Sequence, residues 1–165
     1  MGRTTVPILP TIKKVANKFV VILLVCIALC ACKPKVNDFS VYTNIEPSGW
    51  KYGQSYDFEP VQQDSIVSGR LKLNVRHTGD YSYRNLWLEV TLRDSVIERV
   101  DTVNLLLADP FGNWFGTGVG TDFQLSSTLA DTIRLCPPVK ISVRHIMRSD
   151  DLKGIEQIGL DFTEL

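Results

Sequence analysis

Cys32 is the residue of this chain best placed to do chemistry. It closes the run Leu29-Cys30-Ala31-Cys32, with an aliphatic side chain three positions before the thiol and a small one directly before it. Those types suit two linked reactions. The thiol can take a diacylglyceryl group as a thioether, and a membrane-embedded peptidase needs a small residue such as Ala31 at the cut. Cys26 follows Val25 and Cys30 follows Leu29, both too bulky for that place. Cys136 sits against Pro137-Pro138 with Arg134 as its basic neighbour, and reads as an inert, buried or half-buried thiol.

Other candidates are weaker. Gly116-Thr-Gly-Val-Gly120 invites a phosphate-loop reading, but a phosphate loop opens a helix and here Thr121-Asp-Phe-Gln follows without helical pattern or Lys-Ser/Thr. It reads as a glycine-rich turn or strand, with no nucleotide site. His77 and His145 lack the three or four closely spaced ligands of a zinc site, and His145 shares the phase of Ile141 and Val143, as a core or rim histidine would. No Gly-x-Ser-x-Gly elbow offers a hydrolase nucleophile. Asp109 and Asp122 flank the glycine-rich stretch and could share a calcium ion with backbone carbonyls, but the expectation is no metal, no catalytic residues and no cofactor beyond lipid on Cys32. The aromatics are more telling. Trp50, Tyr81, Tyr83, Trp87, Phe111, Trp114 and Phe115 fall mostly in turns or on the outward phase of strands, where exposed rings mark a binding surface. Tyr81, Tyr83, Trp87, Trp114 and Phe115 are the candidate partner-binding residues, with Trp114 and Phe115 expected to lie alongside Trp87.

The segment ahead of Cys32 has the order of an export signal. Arg3, Lys13, Lys14 and Lys18 form a basic start, residues 19–31 carry no charge, and a small residue ends the run. Thirteen residues are too few to span a bilayer, which takes roughly 20. With its cysteine, the motif resembles the lipobox of bacterial lipoprotein signal peptides. Residues 1–31 are therefore expected to be removed, 32–38 to form a lipidated tether and 39–165 a single domain. Cleavage takes away four basic side chains and no acidic ones, so 14 basic residues face 18 acidic ones, about −4. That balance argues against nucleic acid, which calls for a clustered basic face. Only Cys136 is then left unmodified, so no disulfide within the chain is expected.

The domain reads as strand after strand. Short candidates at Phe39-Ser-Val-Tyr42 and Tyr56-Asp-Phe58 flank a Pro47-Ser48-Gly49-Trp50 turn. Residues 70–76 alternate with Leu71, Leu73 and Val75 on one face. Residues 86–93 put Leu86, Leu88, Val90 and Leu92 inward and Trp87 outward. Thr78-Gly79-Asp80-Tyr81 reads as a turn that makes these two an antiparallel pair. Residues 100–107 end in Leu105-Leu106-Leu107, as a central strand would. Alternation resumes around Pro137-Pro138, at residues 133–135 and 139–143, and again at Ile158, Leu160 and Phe162. Ser149-Asp-Asp-Leu-Lys-Gly154 predicts a single helical turn, with Ser149 as N-cap and Gly154 as stop. About eight short strands without βαβ units predict an antiparallel β-sandwich.

Three blocks carry a family resemblance. They are Asn74-Val-Arg-His-Thr-Gly-Asp-Tyr-Ser-Tyr-Arg-Asn-Leu-Trp-Leu88, Leu107-Ala-Asp-Pro-Phe-Gly-Asn-Trp-Phe-Gly-Thr-Gly118, and Met147-Arg-Ser-Asp-Asp-Leu-Lys-Gly-Ile155 with Ile158-Gly-Leu160. Together with Gly49-Trp50 and the lipobox, they resemble the gliding-motility lipoproteins called GldH, found in Bacteroidetes. The resemblance implies a membrane-anchored, non-catalytic accessory of the gliding apparatus, in a lineage where gliding is tied to type IX secretion, with other envelope proteins as partners. Lys33 after the cysteine is not the inner-membrane retention aspartate of enterobacteria, and Lys33-Pro34-Lys35 lacks the acidic cluster of surface-exported lipoproteins. An outer-membrane anchor with a periplasm-facing domain is the expectation. The alternative from the aromatics alone is a carbohydrate-binding envelope lipoprotein.

One acyl chain holds a protein marginally and two or more hold it stably. Cys32→Ser should therefore leave an unprocessed precursor or release the domain on cell fractionation. A processed Cys32→Ser chain still in the membrane fraction would overturn the anchor.

Overall fold

The structure, a computed structural model, describes residues 37–60 and 65–165. The cleavage motif, Cys32 and the tether up to residue 36 lie outside the described residues.

Among the described residues eleven strands follow one another: β1 (Phe39–Asn44), β2 (Trp50–Lys51), β3 (Ser55–Phe58), β4 (Val67–Thr78), β5 (Asn85–Arg93), β6 (Glu98–Leu106), β7 (Thr117–Val119), β8 (Asp122–Leu135), β9 (Lys140–His145), β10 (Asp151–Leu152) and β11 (Ile155–Glu164). A five-stranded sheet runs β1-β11-β4-β8-β7, and a four-stranded sheet runs β3-β9-β5-β6. Every pairing is antiparallel. Alternation decides which face of each sheet turns inward. Leu71, Leu73 and Val75 from β4 join Ile158, Leu160 and Phe162 from β11. Against them, in the same core, lie Leu86, Leu88, Val90 and Leu92 from β5 with Ile141 and Val143 from β9. The fold is all-β, as expected.

Three expectations are corrected. First, β4 and β5 are not a hairpin. β4 sits mid-sheet between β11 and β8, while β5 pairs with β6 and β9 in the other sheet. Residues 79–84 carry the chain across, because burying the apolar faces of both strands is met by stacking them in opposite layers. Second, β6 is an edge strand. Leu105 and Leu107 are buried but Leu106 points out, and the inward phase continues with Asp101 and Arg99. Charges turned inward on an edge discourage a stray strand from adding there. Third, Ser149 to Gly154 forms no helical turn. Asp151 and Leu152 pair with Lys51 and Trp50 as β10 and β2, since extended backbone lets Leu152 and Trp50 both enter the core. The Ser149 hydroxyl donates to the Asp151 carbonyl at 3.1 Å. Gly154, at φ 86°, turns the chain into β11, where a Cβ would strike the Tyr81 backbone at 2.7 Å.

The sandwich has two unlike ends. Asn37 enters beside Glu164, near Val67 and Leu135, and the β5–β6 turn is tied there through Cys136. Roughly 35 Å away, the length of a twelve-residue strand such as β4, lie the start of β5, the end of β9 and the aromatic loop after β6.

Val90 is buried between the sheets and stands opposite Asp101 of β6, so a carboxylate placed there is desolvated beside a like charge. Val90→Asp should cost several kcal/mol of the roughly 5–15 that hold a domain together. Thermal melting followed by circular dichroism should show the cooperative transition lost. An unchanged melt would overturn the inward assignment of β5.

Candidate functional site

The seven singled-out aromatics divide between core and surface. Trp50 is fully buried, its indole N–H donating to the Gln54 carbonyl at 2.9 Å. Tyr81 is 3% exposed and its hydroxyl donates to the Asn85 carbonyl at 2.9 Å. Burial raises its pKa well above the ordinary phenol value. Neither is the exposed ring expected of it, because the segments that hold them fold back over the far end of the core.

Tyr81 belongs to a ring cluster. His77 packs against Trp114 at 4.7 Å and Phe123 at 5.6 Å between ring centres, and Tyr81 lies 6.0 Å from His77. Trp114 is half-buried in this cluster and is not beside Trp87. Its loop is held by Asp109, whose carboxylate accepts from the amides of Phe111 (2.8 Å) and Asn113 (2.9 Å) and from the Asn113 side chain (2.8 Å). The Asn113 side chain foremost, then these amides, hold the carboxyl below its ordinary pKa. Asp109 thus serves its own loop. Among the described residues no three His, Cys, Asp or Glu side chains gather as metal ligands would. Phe111 and Phe115 stay exposed.

Gly116 to Gly120 forms one arm and the turn of a β7–β8 hairpin, with positive φ at Gly116 and Gly120. That is a strand with a glycine turn, as its sequence reads.

The open surface is at Tyr83 and Trp87, 40% and 41% exposed. Trp87 faces outward on β5 because Leu86 and Leu88 face in. It stands opposite Asn104 of β6. The Trp87 carbonyl accepts from Ile146 N at 3.0 Å, and its amide points to the Met147 sulfur at 3.3 Å. Trp87 and Tyr83 line an open groove of about 500 Å³ with Thr102, Ile146, Met147 and Arg148. Tyr83 meets Tyr81 edge to face at 5.8 Å, so the exposed pair is backed by the buried cluster. Next along the outward face, Glu89 receives a bidentate pair from Arg144 at 2.7 and 2.9 Å. That bond lowers the Glu89 pKa and raises that of Arg144. Met147, Ile146 and Arg148 were not anticipated as groove residues, since they follow β9 and meet β5 only through sheet pairing.

Both histidines are buried. His77 Nδ1–H donates to the Thr78 carbonyl and His145 Nε2–H to the Trp50 carbonyl, each at 3.0 Å. The opposite ring nitrogens, Nε2 of His77 and Nδ1 of His145, are buried without a hydrogen-bond partner. Burial lowers both pKa values, and the backbone bonds only partly offset it. For His77, the charge of Glu156 also opposes the shift.

The family described as GldH lipoprotein matches residues 37–162. The chain is 27% identical over 141 residues to the gliding motility lipoprotein GldH of Flavobacterium johnsoniae, covering 84% of this chain and 87% of that protein. It is 27% identical over 115 residues to the gliding motility lipoprotein GldH homolog of Christiangramia forsetii, covering 66% and 70%. Among solved structures, the infectious bursal disease virus VP2 subviral particle aligns with a TM-score of 0.27 at 15% identity. That alignment covers 80% of this chain and 34% of the viral chain, a likeness too slight to bear on fold or function.

The buried histidines make a pH prediction. An unfolded histidine takes its proton near pH 6.5, and these two take theirs lower when folded. Between the two values the unfolded chain holds more protons, so stability is full above about pH 6.5 and falls as pH drops below it. The loss is at most about 1.4 kcal/mol per pH unit for each histidine. Carboxylates held low, such as Glu89, act below that window. Denaturant midpoints should fall between pH 7 and pH 5, and equal midpoints would contradict the burial of both rings.

Proposed function

Because the chain belongs to the GldH lipoprotein family, we propose that it is a lipid-anchored, non-catalytic accessory of a gliding-motility apparatus linked to type IX secretion. In this reading lipid on Cys32 holds it to the outer membrane, its domain faces the periplasm, and the Tyr83–Trp87 groove docks another protein of the machine.

The observation that carries the docking role is the exposed ring pair over a groove, at the end of the sandwich farthest from the tether. Interface energy concentrates in Trp and Tyr anchors ringed by less costly contacts. The rings are also held in advance of binding, Trp87 by strand pairing and Tyr83 by its contact with Tyr81, which reduces the ordering that a partner must impose. The non-catalytic reading is supported by the fate of the histidines, each sealed in the core with one nitrogen on a backbone carbonyl. A sugar-binding reading has one observation in its favour: the same rings stand beside the Glu89–Arg144 pair, an apolar platform with polar groups at its edge.

Tyr83→Ala with Trp87→Ala should leave the melting curve and lipidation unchanged and abolish recovery of the crosslinked partner from native cells. Each anchor is expected to contribute about 2 kcal/mol or more. Undiminished recovery in the double variant would place the docking surface elsewhere. Glycan binding that vanishes in the same variant would favour the sugar-binding reading.

A further inference from the structure

The end of the sandwich nearest the tether carries an apolar tip of its own. Arg93 pairs with Glu98 in the β5–β6 register, leaving Asp94-Ser95-Val96-Ile97 as the turn. Val96 is 72% and Ile97 48% exposed, and neither belongs to the core. Turn tips ordinarily take Gly, Asn, Asp or Ser, so two branched aliphatics there call for a reason.

The amides of this turn all find partners within the domain. Asp94 N donates to the Ile97 carbonyl and Ser95 N to the Cys136 carbonyl, each at 2.9 Å. Val96 N and Ile97 N both donate to Asp94 Oδ1 at 2.8 Å, and Asp94 Oδ2 accepts from Cys136 N at 3.1 Å. The charges that follow on either side are paired, Arg93 with Glu98 at 2.9 Å and Arg99 with Asp101 at 2.6 Å. An unsatisfied donor is costly among lipids, and here all four amides are spent internally. Ile66, 55% exposed, lies at the same end, since the neighbouring Val67 pairs with Leu135 just before Cys136.

The path of the chain says what this tip meets. Asn37 enters here, its amide side chain donating to Glu164 at 2.9 Å while Glu164 N donates to Asp38 at 2.8 Å. Only residues 33–36 separate Asn37 from Cys32, a reach of at most about 18 Å. We propose that Val96 and Ile97, with Ile66 at the same end, form a second membrane contact that rests in the interfacial layer of the bilayer holding Cys32. The inference rests on the lipidation of Cys32. Burying aliphatic side chains is favourable in proportion to the area removed from water, and a contact at this end stands the sandwich upright. The Tyr83–Trp87 groove is then presented roughly a strand length, about 35 Å, above the surface.

The test uses the full lipidated chain in vesicles of phosphatidylethanolamine and phosphatidylglycerol containing doxyl-labelled phosphatidylcholine. An environment-sensitive fluorophore is placed on Val96→Cys and, separately, on Val119→Cys in the exposed β7–β8 hairpin at the other end. Cys136 is buried and Cys32 acylated, so the introduced thiol is the one that reacts. The expected result is loss of emission to the doxyl lipid at position 96 and none at position 119. A label on Ile66→Cys should be quenched too, and Val96→Asp should relieve that quenching. Vesicles that float with the protein while position 96 stays unquenched mean that the tip faces water or another protein, and overturn the inference alone. Equal quenching at 96 and 119 means that the domain lies on its side, and also overturns it. Protein that does not float with the vesicles overturns the lipid anchor and this contact together.

Discussion

Burial of one face of β4 against one face of β5 is the constraint on which the rest of the molecule depends. Leu71, Leu73 and Val75 need apolar cover, and so do Leu88, Val90 and Leu92. Because side chains alternate, seating those residues inward fixes the direction of every other residue on the same strands. Lys72, Glu89 and Trp87 are consequently turned out. A one-residue slip would bury the charges and expose the leucines together, so the register of both sheets is strongly held. β9 and β11 then close on either side of these strands, and they do so from distant parts of the chain.

Closing the ends of a sandwich is a separate problem, since strands stop and their last residues face open space. At the far end the solution is aromatic. Trp50 and His145 meet at 5.3 Å beneath the β2–β10 pair, and His77, Tyr81, Trp114 and Phe123 fill the other corner. Each histidine leaves one nitrogen buried and unpaired, a cost of about 1–3 kcal/mol for such a group, which close ring contacts help to offset. At the tether end the solution is a carboxylate. Asp94 holds the β5–β6 turn and the start of the 136–139 link at once. The two ends therefore differ in chemistry, which gives the domain a direction along its strands.

Between the ends, the outward face of the four-stranded sheet is largely paired charge. Arg144 with Glu89, Lys140 with Asp57 and Arg93 with Glu98 lie across neighbouring strands. Exposed pairs of this kind are each worth at most about 1 kcal/mol. Their effect is to occupy the surface with mutually satisfied groups. Trp87 interrupts that pattern on the same face, beside a groove whose rim includes Arg148. An exposed ring amid neutralised charges is where a partner gains most by excluding water.

The sequence alone determined the all-β class, the inward faces of β4, β5, β9 and β11, the outward Trp87, the inward phase of His145 and the family blocks. These are local matters, because period-two alternation and short motifs are written within about ten residues. What required the tertiary structure was everything settled by distant partners. Tyr81 and Trp50 read as turn aromatics until β10 and Gly154 close over them. β4 and β5 read as a hairpin because adjacency along the chain is visible and the competing claims of β8, β9 and β11 are not. Ser149 to Gly154 has the capping residues of a helix, but Leu152 gains more by joining Trp50 in the core than one helical turn could return. The groove at Trp87 was half legible for the same reason. Tyr83 and Trp87 are close in sequence, whereas Ile146, Met147 and Arg148 reach them only because β9 pairs with β5.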